Sequence, residues 1–152
     1  MSFISQYEDF PWFQWMVAEE PSKTINLTEV VIGIPRRCCG YHKLKKRILD
    51  QRFEVRAGSK KLDASFRGTI SLNEMCDGYR PSNPVLVKGE YAKYTFSCNT
   101  KKSYIRTTYI TVQMLGGGIL AISEIDAYFI QKSPKKPKGK LPYKFSKQKI
   151  EK

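Results

Sequence analysis

The chain has 152 residues, 41% of them hydrophobic, and a formal net charge of +13. That is enough apolar material for one packed domain, and the absence of any run approaching 18 apolar residues excludes a transmembrane helix. The charge is lopsided: residues 131–152 hold nine Lys and one Glu, a net +8, so the preceding 130 residues are only mildly basic.

The start of the chain, Met1 to Trp15, lacks the charged and apolar regions of a signal peptide. Aromatic residues dominate from Phe10 onwards and predict a strand over Phe13–Val17, with Pro11 suited to the start of an edge strand. Thr24 to Ile34 is rich in β-branched residues and predicts a longer strand that Pro35 terminates. A cationic stretch follows, in which Tyr41 to Asp50 reads equally as a short helical turn or a loop. Gln51 to Ala57 alternates, with Phe53, Val55 and Ala57 on one face and Arg52, Glu54 and Arg56 on the other, as a half-buried strand requires.

Residues 60–89 are broken by Gly68, Asp77-Gly78, Pro81 and Pro84 into short pieces, with one candidate strand over Phe66–Leu72. Tyr91 to Cys98 alternates again. Ser103 to Leu115 predicts a long strand bent near Thr107-Thr108, and Gly116-Gly117-Gly118 reads as the turn of a hairpin into a last strand, Ile119–Ile130. Many short strands with almost no helix predict an all-β antiparallel sandwich or jelly roll over residues 1–130. Residues 131–152, Lys- and Pro-rich, lack the composition for a core and are expected to be a disordered tail.

Candidate chemistry concentrates in Arg36-Arg37-Cys38-Cys39-Gly40-Tyr41-His42-Lys43. Neighbouring Cα atoms lie about 3.8 Å apart, so Cys38 and Cys39 either close a tight ring together, pair elsewhere or remain buried thiols. Four Cys without a CxxC pair form an even set for disulfides and give no zinc spacing, and Asn26-Leu27-Thr28 adds a glycosylation sequon. Both favour an extracellular chain. The missing leader is reconciled with this if the sequence is the C-terminal part of a longer exported protein, or a relative that lost its leader.

An enzyme is not expected, because His42 is the one histidine and no Asp or Glu lies in its loop to orient it. Arg36, Arg37, His42 and Lys43 instead suit an anionic or hydroxyl-rich ligand, since arginine clamps sulfate or carboxylate bidentately. The competing reading is a general basic surface that binds anionic lipid, heparin-like glycan or nucleic acid, to which the tail would add weak, non-specific attraction.

An ordered set of blocks between Pro11 and Tyr128 resembles the fucose-binding F-type lectins (fucolectins) of the wider discoidin or coagulation-factor C-domain fold. The blocks are Pro11-Trp12-Phe13; Thr28-Glu29-Val30-Val31-Ile32 followed by Cys38-Cys39-Gly40; Phe53-Glu54-Val55-Arg56-Ala57-Gly58; Cys76 with Cys98; Ser103-Tyr104-Ile105; and Leu120-Ala121-Ile122-Ser123-Glu124-Ile125-Asp126-Ala127-Tyr128. The resemblance implies a carbohydrate-binding, disulfide-bonded, secreted jelly roll that recognises glycans or glycoproteins through loops at one end. It implies a Cys38–Cys39 disulfide packed against the sugar, a Cys76–Cys98 disulfide and a structural calcium ion held in part by Ser123 and Glu124. The family's N-terminal segment has no counterpart here. Its first arginine falls at Pro35, its acidic residue at Arg37, its second arginine at His42 and its histidine near Gln6. The expectation is therefore a divergent lectin-like module for fucosylated or anionic glycans.

Overall fold

The computed structural model describes residues 3–6, 8–35, 52–76, 82–87, 91–131, 143–146 and 150–151. Among them every regular element is a strand: β1 (Phe3–Ile4), β2 (Glu8–Asp9), β3 (Trp12–Met16), β4 (Ile25–Pro35), β5 (Phe53–Gly58), β6 (Glu74–Met75), β7 (Ser82–Val87), β8 (Tyr91–Ser97), β9 (Ile105–Thr107), β10 (Tyr109–Met114), β11 (Gly117–Gly118), β12 (Ala121–Ile122), β13 (Glu124–Ile130), β14 (Tyr143–Ser146) and β15 (Ile150–Glu151). One sheet has the order β15-β3-β10-β5-β6; the other runs β14-β13-β4-β8-β7, with β9 also paired to β4. Two ribbons, β1-β12 and β2-β11, lie outside them.

The alternation visible in the sequence builds the sandwich. Phe13, Trp15, Val55, Ala57, Ile110 and Val112 from one sheet share a buried core with Val30, Ile32, Ile34, Tyr94, Phe96, Ile125 and Ala127 from the other. Each large side chain so buried contributes about 1.5–3 kcal/mol relative to exposure. The Cys76–Cys98 disulfide staples the two sheets: Cys76 follows β6 and donates its N–H to Val55 O, while Cys98 follows β8 and donates to Thr28 O. The staple thus forms as the resemblance implied.

The expected bend at Thr107-Thr108 proves to be a change of sheet. β9 pairs with β4, whereas β10 lies between β3 and β5. Thr108 anchors the step by donating its N–H to Gly58 O and its hydroxyl to Lys23 O at 2.6 Å.

Two expectations are corrected. Gly116–Gly118 does not turn a hairpin, because β10 and β13 belong to different sheets and β11 pairs with β2 instead. Phe66–Leu72 is not a strand; its backbone is claimed by side chains of the sheet beneath it, Ile70 N–H by Gln113 Oε1 and Phe66 O by Trp12 Nε1. Within residues 131–152, β14 pairs with β13 and β15 with β3, and most of the stretch expected to be a disordered tail lies outside the described residues. Tyr143, Phe145 and Ile150 give these short pieces the strand-forming residues that the surrounding Lys and Pro lack.

The outward face of β3, β10 and β5 carries a second, polar layer. Antiparallel register puts Trp12, Gln113 and Glu54 in one row and Gln14, Thr111 and Arg56 in the next. Residues 60–73 fold over these rows, and Leu62, Ile70 and Phe66 cluster on Trp12. Gln14 accepts the Leu62 N–H at 3.0 Å and donates to Lys60 O and Thr111 Oγ1. The covered Glu54 carboxylate is paired with Arg56 Nε, and Arg56 also donates to Asn73 O at 2.9 Å.

Candidate ligand-binding end of the sandwich

Residues 36–51 join the end of β4 to the start of β5, so the cationic stretch links the two sheets at one end of the domain. Arg36, Arg37, Cys38, Cys39, His42 and Lys43 lie outside the described residues. Their mounting is described. On one side Ile34 and Pro35 pair with Ala92 and Tyr91 of β8, and Ile34 is buried. On the other, Arg52 O accepts the Leu115 N–H, and the following Phe53, also buried, pairs with Met114. Both ends of the stretch are thus fixed by strands that share one core.

The same end is completed by the two ribbons. β1 pairs with β12, and Ser5 ties the junction by donating its N–H to Leu120 O while its hydroxyl accepts the Leu120 N–H at 2.8 Å. Gln6 follows Ser5 and is exposed. β2 places Glu8 and Asp9 against Gly118 and Gly117. A side chain on Gly117 would press on Asp9, since its Cβ would fall 3.0 Å from Asp9 Oδ1. These two carboxylates were not assigned to the site from sequence. Only the long-range pairing with the glycines brings them there, and no local spacing signals it.

Ser123 and Glu124 sit at the junction of β12 and β13. Both the N–H and the hydroxyl of Ser123 donate to Gly33 O, so this residue clamps β13 to β4 just before the cationic stretch. Glu124 Oε2 lies 3.9 Å from Lys93 Nζ, with both side chains partly exposed, a contact worth about 0–1 kcal/mol. Calcium requires six to eight converging oxygens, several of them carboxylate or carbonyl. Ser123 and Glu124 would supply one backbone carbonyl and one carboxylate, the latter beside the Lys93 ammonium. Among the described residues no group of three His, Cys, Asp or Glu side chains is placed to hold a metal ion.

The described part of this end therefore carries mixed charge, with Glu8, Asp9 and Glu124 on one side of the balance and Arg52 and Lys93 on the other. Such a surface can offer both donors and acceptors to a polar ligand. No protein-family model, curated protein or solved structure matches the chain.

Proposed function

We propose that the chain is a divergent carbohydrate-binding module of F-type lectin descent, which recognises fucosylated or anionic glycans on glycoproteins in the extracellular space. The observation that carries the reading is the anchoring of residues 36–51 at both ends to opposite sheets of one core, at Pro35 and at Arg52. Fixing both ends of a chain segment lowers the entropy that binding must still remove, relative to a free tail of the same length. Arg36, Arg37, His42 and Lys43 would donate to hydroxyl or sulfate oxygens around a Cys38–Cys39 knob. No step in this reading uses calcium. Glu8, Asp9 and Glu124 at the same end temper the positive field, which supports recognition by directed hydrogen bonds over attraction to any polyanion.

A second reading rests on other residues. Lys60, Lys61, Lys101 and Lys102 are exposed on loops away from those carboxylates and would suit a polyanion such as a heparin-like glycan. The full chain applied to a glycan array, with free monosaccharide as competitor and salt raised to about 1 M, separates the two. Retention that a monosaccharide displaces, that survives salt and that Arg36→Ala with Arg37→Ala abolishes is expected. Equal, salt-sensitive retention on heparin, DNA and anionic vesicles would favour the second reading, and no retention on any glycan overturns the first.

A further inference from the structure

The sequon Asn26-Leu27-Thr28 takes no part in the ligand-binding proposal, yet the fold gives it a distinct setting. Ile25 and Leu27 pack on the core, so Asn26 between them turns its side chain to the outer face of the sheet. Its direct cross-strand neighbours there are Ile130 of β13 and Arg106 of β9. Neither is buried, Arg106 is exposed, and Asn26 itself is half-buried, so the surface around it is open.

Thr28 shows the opposite character. Opposite it β13 shifts register between Tyr128 and Phe129, and the Thr28 hydroxyl, nearly buried, donates to Tyr128 O at 3.1 Å. Its carbonyl accepts the N–H of Cys98, half of the Cys76–Cys98 disulfide. The sequon therefore adjoins a bond that forms in the same oxidising compartment where N-linked oligosaccharide is transferred. The hydroxyl needed for transfer is accessible on the nascent chain and becomes structural once the strand has formed.

We infer that Asn26 is an N-glycosylation site. Pro35 lies nine residue steps along the strand from Asn26, about 30 Å at the usual rise, so an oligosaccharide on Asn26 projects far from Pro35 and leaves that end of the strand open. It would also shield Ile130 and the outer face of β4 near the edge that β9 only briefly covers. The remaining asparagines cannot compete, because Asn73, Asn83 and Asn99 have Met75, Val85 and Lys101 two places on.

The test is to express the full chain behind a cleavable secretory leader in a eukaryotic cell and release N-glycans enzymatically in heavy-oxygen water. Peptide mass spectrometry should then show Asn26 converted to heavy-labelled Asp. Asn26→Gln and Thr28→Ala should lose the label, and Thr28→Ser, which keeps the hydroxyl, should retain it. Because transfer precedes folding, the intracellular pool is measured alongside the secreted one, and impaired folding of a variant does not hide the result. Unmodified Asn26 in wild-type protein from both pools, with Cys76 joined to Cys98, overturns the inference.

Discussion

Gly58 lies directly beneath Asn73: a Cβ built on Gly58 would fall 2.4 Å from Asn73 Oδ1 and 3.0 Å from its Cβ. Asn73 has little room to yield. Its Oδ1 accepts the Lys60 N–H, its Nδ2 donates to Lys60 O, and its backbone sits at a φ of 73°, in the left-handed region. Gly58→Ala is therefore expected to destabilise the domain by about 1–3 kcal/mol in denaturant unfolding. Asn73→Gly removes the obstructing carboxamide and suits the positive φ, so the double variant should lose less than the sum of the two single losses. Additive losses would show that the contact is not the cause.

Gln113 secures the other half of the covering loop. It accepts the Ile70 N–H at 3.0 Å and donates to Gly68 O and Phe10 O. Phe10 is itself held at a φ of 50°, with its N–H on Gly116 O. Truncation by Gln113→Ala strands one buried and two part-buried backbone groups, and a loss of about 2–4 kcal/mol is expected in chemical denaturation. Gln113→Glu keeps the shape but turns a carboxylate toward two carbonyl oxygens. It should be at least as damaging at neutral pH and milder in acid, where a protonated carboxyl can donate once.

The alternation of β5 and β8 was legible because one face of each strand meets a continuous apolar core, and a period of two is what such burial demands, whereas β4 was legible from its β-branched residues. Thr107-Thr108 was legible as a bend, although its meaning as a change of sheet depends on Thr108 reaching Gly58 and Lys23. The glycines after β10 misled for a physical reason. Turn chemistry is local, whereas the pairing of β10 with β3 and β5 is decided by which apolar faces find the core. Two-residue strands such as β1 and β2 have no period to detect, so Glu8 and Asp9 could not be placed against Gly118 and Gly117. The cationic stretch itself stood out by composition, and the structure adds where its two ends are fixed.

Asp63 gives a local reporter for the covering loop. The Ser65 backbone N–H at 2.8 Å and then its hydroxyl at 2.7 Å hold the Asp63 carboxyl below the usual carboxylate range, against a smaller opposing effect of desolvation. A depressed folded value means that the contribution is present above the unfolded pKa and is lost as pH falls through the folded one. NMR titration should find Asp63 among the last carboxylates to protonate on acidification. Ser65→Ala should move it upward by removing the hydroxyl while leaving the backbone donor. An unchanged midpoint in that variant would assign the whole effect to the backbone.

The Cys76–Cys98 bridge spans 22 positions of sequence, and closing a loop of that size is worth about 3 kcal/mol in the chain-entropy account. Both Cys76→Ala and the double alanine variant should lose stability of that order. The single variant should fare worse, because it leaves the nearly buried Cys98 as a free thiol able to capture another cysteine. The same chemistry tests the proposed Cys38–Cys39 ring. Alkylation of the denatured but unreduced chain should add nothing, and reduction should expose four reactive thiols. A peptide cut to contain Cys38 and Cys39 without Cys76 or Cys98 should, unreduced, be lighter by two hydrogens than the reduced form. Recovery of that peptide only in covalent link with another would mean that the two cysteines pair elsewhere, and the apolar knob of the proposed sugar site would be lost.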